Sequence, residues 1–200
     1  MYKSFVKRIL DLFFSILGLI ILFFPMLVIA LAIRIDSKGP VFFKQKRLGK
    51  NKKLFIIYKF RTMCDHAYEN GGIASNENDI RITKVGKFLR RTSIDEIPQL
   101  INVLFGQMSI IGPRPILDWE YEEFANPKFE SRFSTRPGMF CTVDIIYRAS
   151  ATRELQFQMD AEYAENLTFK IDAKTFFKIF KTVFGKKNVY KDENKENKNE

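Results

Sequence analysis

The chain has 200 residues, 46% of them hydrophobic and 21 of them phenylalanine, and carries a formal net charge of +10. That length allows one domain, or one domain with a membrane element, and the charge calls for an anionic partner such as a membrane surface, phosphates or nucleic acid. Two distant cysteines, Cys64 and Cys141, and a single histidine, His66, argue against a disulfide scaffold and against a zinc centre of His/Cys type.

Leu12 to Ile33 runs 22 residues without a charge, and about 20 suffice to cross a bilayer core. A cleaved signal peptide fits poorly despite Ala30-Leu31-Ala32, because the run is long and Arg34 and Asp36 follow at once. Pro25 sits mid-run. It lacks an N–H and pushes Phe24 out of helical space, so a break or kink, a helix-break-helix at Phe24-Pro25, is expected here. Both flanks are basic, with Lys3, Lys7 and Arg8 before and Arg34, Lys38 and Lys44 after. Positive flanks stay in the cytoplasm, which a re-entrant helix satisfies at both ends. The residues leave re-entrant and spanning forms open.

After Gly39-Pro40, Val41 to Phe43 and Leu54 to Tyr58 read as strands joined at Gly49-Lys50-Asn51. Residues 44–61 hold eight lysines and arginines and no acid. Beside a membrane segment, such a cluster suits anionic lipid headgroups better than nucleic acid. Alternation places Lys59 and Arg61 on one face, as surface cations or as a phosphate clamp. The polar stretch 65–79, with Gly71-Gly72, reads as a mobile loop.

Val85 to Leu89 reads as a short helix that feeds Arg90-Arg91-Thr92-Ser93-Ile94-Asp95-Glu96-Ile97-Pro98. Two carboxylates follow two arginines at the start of a helix expected over Ile97 to Phe105. Ser93 with Glu96 fits a capping box, and Asp95 fits an N-cap before Pro98. Capping alone explains them. Alternatively the helix dipole with Arg90 and Arg91 keeps Asp95 ionised and gathers phosphate. Such a carboxylate ligates Mg²⁺ or attacks phosphorus.

Gly112-Pro113-Arg114-Pro115 presents one arginine on a stiffened backbone. Residues 118–133 read as an acidic, aromatic surface helix, and Met139 to Tyr147 as a strand ending near Arg148. Phe176, Ile179, Phe180, Val183 and Phe184 make a basic amphipathic helix, which packs on the domain or lies in the membrane interface. Residues 186–200 are rich in Lys, Glu and Asn and read as a disordered tail.

Four segments together resemble the monotopic bacterial phosphoglycosyl transferases, in a small core-only form. They are the proline-bearing apolar run, Lys59-Phe60-Arg61-Thr62-Met63, Leu89 to Leu100 around Asp95-Glu96, and Gly112-Pro113-Arg114-Pro115. The resemblance implies an α+β fold: a small sheet with surface-lying amphipathic helices and a proline-broken re-entrant membrane helix. It implies a membrane helix over 1–36, a catalytic domain over 37–185 and a tail over 186–200, at the cytoplasmic face of the bacterial inner membrane. The implied reaction moves a sugar 1-phosphate from a UDP-sugar to polyprenyl (undecaprenyl) phosphate with release of UMP, the first membrane step of surface-glycan assembly. By position Asp95 is the nucleophile that carries the phosphosugar, Glu96 its partner, and Mg²⁺ bridges the carboxylates and the diphosphate. Lys59, Arg61, Arg90, Arg91, Arg114 and Arg148 become substrate-binding candidates. Partners are the UDP-sugar, the polyprenyl phosphate and anionic lipids, not nucleic acid.

One region departs from the family. After Arg136-Pro137-Gly138 the family carries Thr-Gly and later a Gln, where this chain has Met139 to Arg148. Arg148, Glu154, Phe157 and Asp160 keep the family spacing. This departure supports a second reading, a membrane-attached scaffold whose catalytic site has decayed.

Overall fold

A computed structural model describes residues 2–65, 67, 79–147 and 151–184. His66, the Gly71-Gly72 stretch, Arg148 and the charged tail lie outside the described residues. The fold is α+β, with two small sheets and one long apolar helix at the N-terminus.

That helix, α1 (Lys7–Asp36), follows a π-helical turn over Tyr2–Val6. It is long and apolar enough to cross a membrane by length and composition. The break expected at Phe24-Pro25 is not found, because α1 continues through Pro25 without interruption. The proline forfeits one N–H bond. Packing on both sides of it compensates: Leu19 and Leu22 lie on the main core, and Met26, Ile29 and Ile33 on a second cluster with Phe60 and Leu89.

These contacts recur at helical spacing, so one stripe of α1 faces the domain along its whole length. At its N-terminal end Lys7, Asp11 and Ser15 are buried. Lys7 Nζ lies 2.6 Å from Asp172 Oδ2, and Asp11 Oδ1 accepts from Ser109 Oγ and the Ile110 N–H, each at 2.9 Å. At its far end Asp36 Oδ2 accepts from the Val85 N–H at 2.8 Å. The opposite stripe, including Phe13, Ile20, Ile21, Phe24, Leu27 and Leu31, is exposed. An apolar face of that extent marks α1 as a membrane-associated element.

Strands β1 (Phe42–Leu48) and β2 (Leu54–Phe60) form an antiparallel hairpin with Gln45 opposite Ile57 and Arg47 opposite Phe55. Phe55 and Ile57 point into the core, so Arg47 and Lys59 share the inner face by alternation. Helix α2 (Lys84–Thr92) begins at Thr83, whose hydroxyl caps the Gly86 N–H at 3.0 Å. A tight turn over Ile94–Glu96 leads to α3 (Gln99–Leu104).

Strand β3 (Ser109–Ile111) pairs in parallel with β4 (Gly138–Phe140). A Cβ on Gly138 would lie 2.1 Å from the backbone nitrogen of Gly112 and 2.6 Å from the Phe140 carbonyl oxygen. No side-chain rotation relieves a backbone clash. Gly138→Ala is therefore expected to cost at least about 2 kcal/mol, read as a lower melting temperature in detergent. An unchanged melt would contradict this strand contact.

The expected helix over 118–133 divides into α4 (Asp118–Glu123) and a 3-10 segment, Pro127–Ser134. Asn126-Pro127 restarts the chain there, with Asn126 capping the Lys128 N–H. The expected strand over Met139 to Tyr147 is also corrected. It ends at Phe140, and α5 (Thr142–Ile146) follows. Packing overrides the β-branched propensity of this stretch, since Val143 is fully buried. Helices α6 (Arg153–Glu165) and α7 (Phe169–Phe184) complete the chain. Helix α7 buries Asp172, Thr175 and Ile179 against the domain and leaves Phe169 and Phe177 exposed.

Candidate active site

Helix α2 stops because Ser93 takes a left-handed conformation, φ 57°, and returns its N–H to Leu89 and Arg90 carbonyls. The reversal starts the Ile94–Glu96 turn, and Ile94 packs on the Phe60 and Leu89 cluster. Neither capping reading survives. Ser93 makes no side-chain cap bond, and the N-cap of α3 is Pro98. The carboxylates of Asp95 and Glu96 are thus not spent on helix ends.

Buried Asn102 fixes the turn against β2. Its Oδ1 accepts from the Tyr58 N–H at 3.0 Å, and its Nδ2 donates to the Ile56 carbonyl at 2.7 Å. One residue beyond Tyr58, Lys59 Nζ meets Glu96 Oε1 at 2.6 Å. Asp95, half-buried, has no ion-pair partner among the described residues.

The two carboxyl groups are pushed apart. Burial raises Asp95 to about 6, with Glu96 adding to the rise and Lys59 and Arg90 opposing it. Burial also works against the Glu96 charge, but Lys59, Arg114 and Arg47 outweigh it and hold Glu96 below its ordinary value. Adjacent carboxyl groups with opposed shifts are a common signature of acid, base and nucleophile roles.

Beside Glu96 opens a shallow cleft lined by Arg47, Lys59, Glu96, Gln99 and Arg114. Three cations and one carboxylate line it, with Arg47 Nη1 also 3.6 Å from Glu120 Oε2 behind it, a cationic setting that suits a diphosphate. Burial lowers the Arg47 guanidinium to about 10, with Glu120 opposing the shift and Arg114 and Arg153 adding to it. Arg47 stays charged at neutral pH, and an anion in the cleft would relieve it.

The other candidates divide. Arg114 lines the cleft, and Arg90 acts on Asp95 while its Nε donates to Thr62 Oγ1 at 2.8 Å. Arg91 is exposed. Arg61 is buried, and its guanidinium donates to Ser37 Oγ and to the Ser37 and Lys38 carbonyls. It ties the end of α1 to the hairpin rather than joining Lys59 as a clamp.

Asp95 and Glu96 also fit a divalent cation. Among the described residues no group of three or more His, Cys, Asp or Glu side chains gathers into an all-protein cage. Mg²⁺ characteristically uses one or two carboxylates and takes its remaining ligands from phosphates and water. A half-exposed carboxylate with a raised pKa beside a cationic cleft matches that donor set.

A family profile described as bacterial sugar transferase matches residues 2–186. The chain belongs to the bacterial sugar transferase family. A relative from Aeromonas hydrophila named UDP-N-acetylgalactosamine-undecaprenyl-phosphate N-acetylgalactosaminephosphotransferase is 36% identical over 90% of this chain and 44% of its own length. A Klebsiella pneumoniae relative named UDP-glucose:undecaprenyl-phosphate glucose-1-phosphate transferase is 40% identical over 89% of this chain and 39% of its own. A Bacillus subtilis relative named uncharacterized sugar transferase EpsL is 38% identical over 84% of this chain and 82% of its own. The chain thus spans less than half of the Aeromonas and Klebsiella proteins.

In this bacterial sugar transferase the segment after Arg136-Pro137-Gly138 reaches the cleft, since Met139 and Cys141 line it with Gly138. Two lining residues were missed from sequence. Arg47 is hidden among lysines, and only the hairpin register, which sets it opposite core-facing Phe55, singles it out. Gln99, buried at the start of α3, carries no signal of its own.

Proposed function

We propose that this bacterial sugar transferase moves a sugar 1-phosphate from a UDP-sugar to a polyprenyl phosphate at a membrane surface, releasing UMP. The observation that carries this reading is Glu96 in a cationic cleft and bound to Lys59, with Asp95 beside it in the same turn and in no ion pair among the described residues.

An Asp95 carboxylate oxygen attacks the sugar-bearing β-phosphorus. The bond from that phosphorus to the bridging oxygen breaks, and UMP leaves with the oxygen. A polyprenyl phosphate oxygen then attacks the same phosphorus, which frees Asp95 and forms the lipid diphosphosugar. Two steps let a soluble donor and a lipid acceptor use one site in turn. Arg47, Lys59 and Arg114 hold the diphosphate and offset the charge of its transition state. Lys59 also orients Glu96. Mg²⁺ held by Asp95 and Glu96 would supply further charge neutralisation at the phosphates.

UMP release tests the reading, using detergent-purified protein with Mg²⁺, undecaprenyl phosphate and UDP-N-acetylgalactosamine, UDP-glucose or UDP-galactose. Release with at least one donor is expected. Silence across a wide donor panel would favour the decayed scaffold. The acidic limb of kcat/KM is expected near pH 6, where Asp95 loses its proton, with activity falling about tenfold per unit below it. A flat profile from pH 5 to 8 would oppose the nucleophile assignment.

We also propose that α1, continuous through Pro25, lies along the domain in one leaflet without crossing the membrane, with both ends on the cytoplasmic face. Its grip on one domain at Lys7, Asp11 and Ser15 and again at Ile33 and Asp36 supports this. Its 30 residues, roughly 45 Å at 1.5 Å each, do not extend away from that domain. Cysteines at positions 3 and 38 are expected to react with an impermeant reagent from the same side. Labelling from opposite sides would show a spanning helix.

A further inference from the structure

Arg132, in the 3-10 segment, and Asp160, on α6, form an ion pair with Nη2 and Oδ2 2.6 Å apart and side chains 1% and 0% exposed. A pair so deeply buried is weak evidence of stabilisation, because the desolvation penalty consumes much of the attraction. Its hydrogen bonds point to another task. The Arg114 N–H donates to Asp160 Oδ2 at 3.1 Å, and Arg132 Nη2 donates to the Arg114 carbonyl at 3.0 Å. One ion pair therefore satisfies both backbone polar groups of the arginine that lines the cleft.

The surroundings hold the pair rigid. The Arg132 guanidinium carbon lies 4.1 Å from the Phe157 ring centroid and 5.3 Å from that of Phe133. Phe157 and Asp160 are three residues apart on α6, so ring and carboxylate come from one face. Pro113 and Pro115 restrict the backbone on either side of Arg114. The Pro113 carbonyl accepts from the Gly138 N–H at 2.8 Å, and the Pro115 carbonyl accepts from Arg47 Nη1 at 3.3 Å. With its peptide groups bonded and its neighbours fixed, the direction in which Arg114 leaves the backbone is set.

We propose that Arg132 and Asp160 are positioning residues for Arg114. They act through its backbone to hold its guanidinium over the cleft where the diphosphate of a nucleotide-sugar binds. Neither side chain touches the substrate. The inference rests on the sugar-phosphate transfer reading and adds the means by which one of its cations is aimed.

The test is a double-mutant cycle on UMP release, with membrane-extracted protein in every arm. Arg132→Met with Asp160→Leu replaces the pair by apolar groups of similar size, an exchange that folds tolerate, and removes both bonds to Arg114. This variant strips the Arg114 N–H and carbonyl of those bonds, so it is expected to melt several degrees below wild type yet stay folded, and to lose about a hundredfold in kcat/KM, as does Arg114→Ala. Combined with Arg114→Ala it is expected to lose no more than about threefold further, because the pair has nothing left to aim. Arg132→Lys keeps the charge and a donor and is expected to recover most of the activity.

Full activity in the Met/Leu variant would overturn the proposal, as would losses that multiply in the combined variant. Failure of the Met/Leu variant to fold would also overturn it, by making the pair a determinant of the fold; Arg132→Lys, folded and no more active than Arg114→Ala, would do the same for the Arg132 bond. These outcomes stay separate from the parent reading. An active Asp95→Asn variant sinks sugar-phosphate transfer through Asp95, whereas an inactive one beside a fully active Met/Leu variant sinks only the positioning role.

Discussion

Asp95→Asn is expected to lower UMP release by at least about a thousandfold while leaving membrane association and the melt intact. The amide matches the carboxylate in size but is no nucleophile, and removal of an attacking group typically costs three or more orders of magnitude. The Lys59–Glu96 contact at 2.6 Å does not involve the changed group. Stability adds a second sign to check. Burial raises Asp95 to about 6, so the folded state favours the protonated form. Stability is then lost as pH rises from the ordinary carboxylate range through 6. An uncharged amide escapes that loss, so at pH 7.5 the variant is expected to melt at or slightly above wild type. Retention of a tenth of the activity would refute Asp95 as the nucleophile.

Lys59→Met is expected to lower kcat/KM at pH 7 by about a hundred- to a thousandfold. Two effects combine. The substrate loses a cleft cation, and Glu96 is left half-buried without its partner. The pH profile separates them. Lys59 is the main charge that lowers Asp95, so its loss raises the Asp95 pKa and moves the acidic limb above pH 6. Part of the lost activity should return by pH 8, and Lys59→Arg should keep the limb near its original place. A parallel drop at every pH would mean that Lys59 only binds substrate.

Much of this site was legible in the chain. Asp95 and Glu96 follow Arg90 and Arg91 and precede Pro98, a density of charge that a packed core rejects. The two strands and the short helix before the carboxylates also emerged, since apolar runs bounded by a turn such as Gly49-Lys50-Asn51 are local signals. What escaped depends on contacts between distant segments. Arg61 looked equivalent to Lys59 two residues away, but the strand ends at Phe60 and the arginine turns toward Ser37 and Lys38. Pro25 signalled a break, yet packing of Leu22 and Met26 on either side keeps α1 continuous. Helix α6 gave no amphipathic pattern because its inner face mixes Phe157 and Ala161 with buried Gln156 and Asp160. Asp160 serves a loop 46 residues earlier, which no local spacing reveals.

A phosphosugar carried on Asp95 would form from the donor alone, so the decisive measurement withholds the lipid acceptor. Purified protein would receive Mg²⁺ and its UDP-sugar without polyprenyl phosphate, with released UMP counted and the protein weighed by mass spectrometry. One UMP per protein and a mass gain of one sugar phosphate on the peptide that contains Asp95 are expected, both absent in Asp95→Asn. No UMP until polyprenyl phosphate is added, or a mass gain on another peptide, would contradict the Asp95 intermediate.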